Sequence, residues 1–352
     1  MLGWLNDGSL LENLKMKMTN KFAGLLLSYG VLFALSLRAQ PSAPTAVQQQ
    51  QNFQQSMEQQ KPLISLKRGT NAPELYQGEN ADVGPQHILR LLPQRTHFLI
   101  KMDSQYLYTD NVLLTGNPTI PGTEFVNTIQ AAFEPTAYKM GPGRFTPAIG
   151  YVSQWFNYEM GNHDLGAIDF SVQTIYASAK YQFPRDWTAF AEFDYNRFLS
   201  QANYNEFYHE FVPSAGVQRL FQVTDNSLLA FTFQGDYHNS WTVNPPHNAQ
   251  DRADGIFSVS FAYQFTPQIV VQPYYRFQYT YYRFATSPDT IHHASGRSDY
   301  LNSFGLSASY YFTPNLSLRA FANDDIKDSD DNLAQQYHAY NVGADLVFSI
   351  RF

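Results

Sequence analysis

From residue 97 to the C-terminus, apolar and polar side chains alternate with a period of two, segment after segment, and no other feature constrains the fold as tightly. That period places successive side chains on opposite faces of an extended strand. The last segment is the clearest. Tyr340, Val342, Ala344, Leu346, Phe348, Ile350 and Phe352 fall on one face, and Asn341, Gly343, Asp345, Val347, Ser349 and Arg351 on the other. Trp187, Ala189, Ala191, Phe193 and Tyr195 likewise oppose Thr188, Glu192, Asp194 and Asn196. Further on, Phe257, Val259, Phe261, Tyr263 and Phe265 oppose Ser258, Ser260 and Gln264. No heptad pattern or long amphipathic helix interrupts the series.

A soluble sandwich can alternate in this way too, so composition has to separate the two. Only 15% of residues are charged, while 28 Phe, 24 Tyr and 4 Trp bring the aromatics to 16%. A charge-poor, aromatic-rich chain suits a barrel with an apolar outside and a polar inside, with Tyr and Trp seated at the membrane–water interface. The net charge of −7 lacks the basic footprint that nucleic acid requires. With no cysteine, disulfide, zinc–thiolate and lipidated-thiol chemistry are all absent.

The turns repeat as well. Tyr181-Gln-Phe-Pro, Tyr263-Gln-Phe-Thr-Pro and Tyr310-Tyr-Phe-Thr-Pro each end a strand on aromatics and turn at proline, which needs no ladder hydrogen bond there. Residues 221–228 fill the same role without proline. Longer polar loops fall near residues 109–123, 157–167, 200–206, 241–254, 286–297 and 323–336. Short turns on one side and long loops on the other is the asymmetry of outer-membrane barrels. The predicted strands are 97–108, 124–138, 144–156, 168–182, 187–199, 207–221, 228–240, 254–265, 269–284, 299–312, 316–322 and 337–352. The expected fold is therefore all-β, a transmembrane antiparallel up-and-down β-barrel of about 12 strands, with 10 or 14 as alternatives if a weak pair merges or splits. It must close, because an open edge in lipid leaves backbone groups unpaired.

Residues 22–37 form the one long apolar run, preceded by Lys15, Lys17 and Lys21 and followed by Arg38-Ala39. A basic start, an apolar core and a small residue at the cut mark a secretory signal. The expected division is a signal peptide over 1–39 (with 1–15 an over-long gene start), a Gln- and Pro-rich periplasmic linker or partial plug over 40–95, and the barrel over 96–352.

The signal, the period-two strands, the aromatic-Thr-Pro turns and the terminal Phe352 together resemble the porin class of bacterial outer-membrane β-barrels, over roughly residues 97–352. The resemblance implies a location in the outer membrane of a Gram-negative-type bacterium, with the N-terminal linker in the periplasm. Implied partners are outer-membrane lipid and lipopolysaccharide, the barrel assembly machinery, and small polar solutes. It also implies that Tyr340, Val342, Leu346, Phe348, Ile350 and Phe352 form the C-terminal signal read by that machinery. No cofactor and no resident metal are expected.

The polar face supplies the candidate pore lining: Lys101, Asp103, Glu134, Asp169, Glu192, Asp194, Asp236, Arg276, Arg319, Asp345 and Arg351. Such charges set ion preference in pores, and this set carries more acid than base. The expected function is passive passage of small polar solutes or ions through a narrow, weakly cation-preferring channel. An alternative is a structural or surface-interaction barrel without transport. A minor alternative is an enzyme resembling the outer-membrane phospholipases, on His293, Ser295 and the nearby Asn302. The Asn that follows the serine in that family is missing here, and the pair reads as loop. Residues 323–332, with Asp324, Asp325, Asp328, Asp330 and Asp331, read as a solvated loop without the spacing of a Ca²⁺-binding helix–loop–helix loop. His97, His209, His238, His247 and His338 read as loop or interfacial residues.

Overall fold

The computed structural model describes residues 97–112, 114, 119–160, 163–164, 168–243, 250–283, 296–330 and 336–352. The expected signal peptide, linker and His293–Ser295 pair lie outside these residues. Twelve antiparallel strands form one closed sheet. They are β1 (Phe98–Thr109), β2 (Gly122–Phe133), β3 (Gly143–Met160), β4 (Phe170–Gln182), β5 (Trp187–Ser200), β6 (Glu206–Thr224), β7 (Ser227–Thr242), β8 (Arg252–Thr266), β9 (Ile269–Tyr282), β10 (Arg297–Tyr311), β11 (Leu316–Ser329) and β12 (Tyr337–Arg351). Two short pieces, Tyr138–Met140 and His163–Asp164, pair with the two ends of β3. Each strand pairs with its neighbours in sequence, and β1 pairs with β12 from Leu99↔Arg351 to Thr109↔Asn341. That last ladder removes the open edge.

The C-terminal residue belongs to the seam. The Phe352 carbonyl accepts the His97 and Phe98 amides, and the Phe352 amide donates to the Phe98 carbonyl, each at 3.0 Å. Its ring stacks on Phe98 at 5.8 Å, and Phe98 meets Phe133 at 5.3 Å. Aromatic packing and backbone pairing thus fasten the same corner.

The alternation read from sequence separates the two faces. On β10, Phe304 and Leu306 are each 51% exposed, while Ser303 and Ser307 are 7% and 2% exposed. This is the reverse of a soluble protein. An apolar surface of this extent around a whole molecule would be an aggregation liability in water and is a proper solvent face in lipid. The short turns carry a matching belt. Tyr181–Phe183, Tyr263–Phe265 and Tyr310–Phe312 pack edge to face with centroids at 4.5, 4.7 and 4.9 Å. Thr266 Oγ1 accepts the amides of Gln268 and Ile269, and Thr313 Oγ1 those of Asn315 and Leu316. Thr224 does the same for Asn226, so the turn without proline uses the same hydroxyl.

Four inward glycines each face an inward aromatic that is their register partner on the next strand. The pairs are Gly150 with Tyr176, Gly216 with Phe190, Gly305 with Tyr274 and Gly343 with Phe321. A Cβ at any of these positions would overlap the partner ring. The ring lies across the strand where the glycine leaves room, which lets the sheet bend tightly and shields the bare backbone.

The two largest differences from the expected boundaries are at β2 and β11. β2 stops at Phe133 instead of running to 138, because Pro135 cannot donate to a ladder. β11 runs on through Ser329 instead of ending at 322. Its Asn-Asp-Asp stretch has a turn-like composition, but pairing with β10 (Asp299↔Ser329 to Gly305↔Asn323) holds it extended, so tertiary pairing overrides local preference.

Candidate functional site

The inward wall carries the chemistry. Lys101 and Asp103 on β1, Glu192 and Asp194 on β5, Asp236 on β7, Arg276 on β9, Arg319 on β11 and Asp345 on β12 share the inward phase of their strands. Glu134 and Arg351 sit at the short-turn rim, where Arg351 Nη2 meets Glu134 Oε2 at 3.0 Å. Asp169 is a correction. It precedes β4 and turns to the end of the ladder, accepting Asn157 Nδ2 at 3.1 Å and the Tyr158 amide at 2.9 Å. It is an end cap of the β3–β4 hairpin, out of phase with the inward set, and its position just before the strand hid this from a simple odd–even count.

The structure brings Arg319 and Asp345 together as a two-pronged ion pair. Arg319 Nε donates to Oδ1 at 3.2 Å and Nη2 to Oδ2. Both side chains are essentially excluded from solvent, and Asp103 lies close enough to feel both charges.

A second cluster, toward the long loops, was only partly visible in the sequence. His238 Nδ1 is 2.9 Å from Glu210 Oε2, and its Nε2 is 3.2 Å from Asp254 Oδ2. Arg252 Nε meets the same Asp254 oxygen at 3.2 Å. Tyr208 donates its hydroxyl to Glu210 at 2.7 Å, and Asn196 Nδ2 donates to Glu210 at 3.1 Å while accepting from Thr174 Oγ1 at 2.7 Å. The network therefore runs from β4 to β8. His238 is thus neither a loop nor an interfacial residue, and Arg252, expected in the loop near 241–254, lies on β8 with Asp254. The missed signal was phase: Arg252 and Asp254 continue the even-numbered inward series of Ser258 and Ser260. A third group on β10 and β11 joins Asp299 to Arg297 at 3.0 Å, to Lys327 at 2.8 Å and to Ser329 at 2.6 Å.

Register aligns acids around the wall. Glu192↔Ser214, Ser214↔Asp236 and Asp236↔Asp254 follow one another across β5 to β8. Asp194 sits one inward position from Glu192. Beside this row, and sharing β5 and β6 with it, the loop ends of β3 to β6 point apolar groups inward. Phe156 stacks on Phe170 at 4.5 Å, Phe170 on Phe198 at 6.2 Å, and Phe198 meets Tyr208 edge-on at 4.9 Å. Val126 and Val172 complete this cluster. The inward wall is therefore polar along much of its length and aromatic toward the long loops on β3 to β6, which an alternating-polarity rule does not anticipate.

The acidic stretch near the end of β11 does not gather into one site. Asp325 faces inward and accepts Asn323 Nδ2 at 2.8 Å and Asn341 Nδ2 at 3.1 Å. Asp324 faces outward to His338. Asn302 also faces outward and accepts the Tyr275 hydroxyl at 2.8 Å. On β12, Tyr340, Val342, Leu346, Phe348 and Ile350 point outward, and Phe352 follows them at the seam.

No protein-family model and no curated protein matches the chain. Among solved structures, an outer membrane channel from Pseudomonas putida F1 aligns over 76% of this chain and 100% of its own, with 12% identity and a TM-score of 0.47. The β domain of the Bordetella autotransporter BrkA aligns over 73% and 100%, with 10% identity and a TM-score of 0.45. The KdgM porin aligns over 70% and 97%, with 12% identity and a TM-score of 0.37. The closed twelve-strand sheet with its apolar exterior shows, from the chain itself, the fold of a membrane β-barrel. What passes through such a barrel is decided by its wall, since one fold hosts many functions.

Proposed function

We propose that this barrel sits in the bacterial outer membrane as a narrow passive channel for small polar solutes, with a weak preference for cations. The observation that carries the reading is the acidic register row Glu192, Asp236 and Asp254, with Asp194 beside it, on an inward wall otherwise rich in hydroxyl and amide groups. Carboxylates lining a low-dielectric passage favour cations over anions. The aromatic cluster toward the long loops on β3 to β6 adds bulk to the wall, and twelve strands enclose less than the 16–18 of wide porins. The reading includes a cleaved signal over 1–39, a periplasmic linker or partial plug over 40–95, assembly through the last strand, and lipid and lipopolysaccharide around the exterior.

Planar-bilayer recording tests it. The purified barrel is expected to conduct, with a reversal potential displaced modestly toward the cation side in a salt gradient. Glu192→Lys with Asp194→Lys is expected to move that potential to the anion side. A reversal potential unmoved by these substitutions contradicts the acidic row as selector. A second reading, a structural barrel without transport, draws on the near-complete burial of inward Gln105, Gln272 and Arg319. A protein that inserts but never conducts selects that reading.

A further inference from the structure

Arg252, Arg297 and Arg319 on the inward wall each have a carboxylate within ion-pair distance. Arg276, midway along β9, differs. It is 5% exposed, and its Nε and Nη2 are buried with no hydrogen-bond partner. These two atoms form the side-on edge of the guanidinium, the same edge by which Arg319 holds both oxygens of Asp345. In Arg319 the fork is filled by the protein, and in Arg276 it is buried and unpaired.

The surrounding acids do not close it. Asp254 is held by Arg252 and His238, Asp236 accepts Gln234 Nε2 at 2.9 Å, and Asp325 accepts the amides of Asn323 and Asn341. All three lie near enough to act on Arg276 through space, yet none forms an ion pair with it. Its register neighbours are hydroxyls, Ser258 on β8 and Ser303 on β10. One inward position along β9, Gln278 commits its Nε2 to Thr280 at 3.0 Å, while its Oε1 is buried without a partner. Arg276 and Gln278 are consecutive inward residues of β9, about 7 Å apart along the strand, so an unpaired acceptor and an unpaired donor fork stand on the same stretch of wall. Buried polar groups in a folded protein are normally satisfied, and a guanidinium fork matches the two coplanar oxygens of a carboxylate.

We propose that Arg276 and Gln278 form an interior docking site for a small hydroxycarboxylate of the sugar-acid kind. The carboxylate takes the Nε–Nη2 edge of Arg276, a hydroxyl donates to Gln278 Oε1, and Ser258 and Ser303 line the approach. The site rests on the reading of the lumen as a solute path. It gives the channel a preferred organic cargo beside its weak general preference for cations.

The test is calorimetric titration of the detergent-solubilised full-length barrel with gluconate, alongside bilayer recording of the same preparation. Gluconate is expected to bind and to interrupt the ionic current at millimolar concentration. Arg276→Gln should weaken binding at least tenfold with the heat-shift of the folded barrel on gels unchanged. Arg276→Lys, which keeps the charge but not the fork, should recover only part of it, and Gln278→Leu should weaken gluconate more than acetate. Gluconate binding unaltered by Arg276→Gln overturns the proposal, as does absence of binding in a protein that conducts. Equal affinity for inorganic phosphate also overturns it, leaving a general oxyanion site. Binding that depends on Arg276 in a protein that never conducts keeps the site and discards the channel.

Discussion

Replacing Asp345 with leucine is expected to destabilise the barrel by about 3–5 kcal/mol, because it strands a buried guanidinium. Arg319 is 0% exposed and Asp345 is 1% exposed. Taking both charges out of water is costly, and their two-pronged contact offsets that cost only while both partners are present. The second substitution should therefore rescue the first. Arg319→Met in the Asp345→Leu background is expected to recover most of the loss, since a well-packed apolar pair often equals or exceeds a buried ion pair. Urea unfolding in lipid vesicles, followed by tryptophan fluorescence, reads both. A double variant as unstable as the single one would show that the pair is not the source of the loss.

The second large effect is steric. Gly305→Ala is expected to cost about 1–3 kcal/mol, the usual range for overpacking, because the new methyl occupies the space of the Tyr274 ring. Removing the ring in the same chain, as Tyr274→Ala with Gly305→Ala, should return part of the loss. Gly255 provides the control. It is also a strand glycine, but it faces outward, and an added Cβ meets nothing within 4 Å. Gly255→Ala is expected to be neutral or to stabilise by up to about 1 kcal/mol, since glycine is costly in a strand interior. Equal effects at the two positions in the same unfolding assay would contradict the ring-over-glycine account.

Much of this architecture is legible in the residues. The alternation on Tyr340–Phe352 fixes which side of β12 meets lipid, and the aromatic-Thr-Pro repeats place the short turns, because both depend on neighbours in sequence. What is illegible depends on neighbours in space. The inward phase of Arg252 and Asp254 is hidden by the polar, loop-like residues before them, and β11 continues through Asn323-Asp324-Asp325 only because β10 lies alongside. The convergence of Glu210, His238 and Asp254 needs the register of three strands. The four glycine–aromatic pairs need it too, since no local pattern joins Gly305 to a tyrosine 31 residues earlier. Asp169 shows the converse. A charge beside a strand reads as lining, but the ladder end claims it as a cap.

The chain lacks cysteine, so single cysteines can carry a spin label at chosen sites without background, and β10 offers an unbroken alternation. Labels at positions 304, 306 and 308 in reconstituted bilayers are expected to collide readily with oxygen, which partitions into lipid, and rarely with a water-soluble nickel chelate. Labels replacing Ser303, Ser307 and Ser309 are expected to show the reverse ratio, giving an oscillation of period two. A flat profile, or free access of the nickel chelate to positions 304, 306 and 308, would contradict a barrel that turns its apolar side to the membrane.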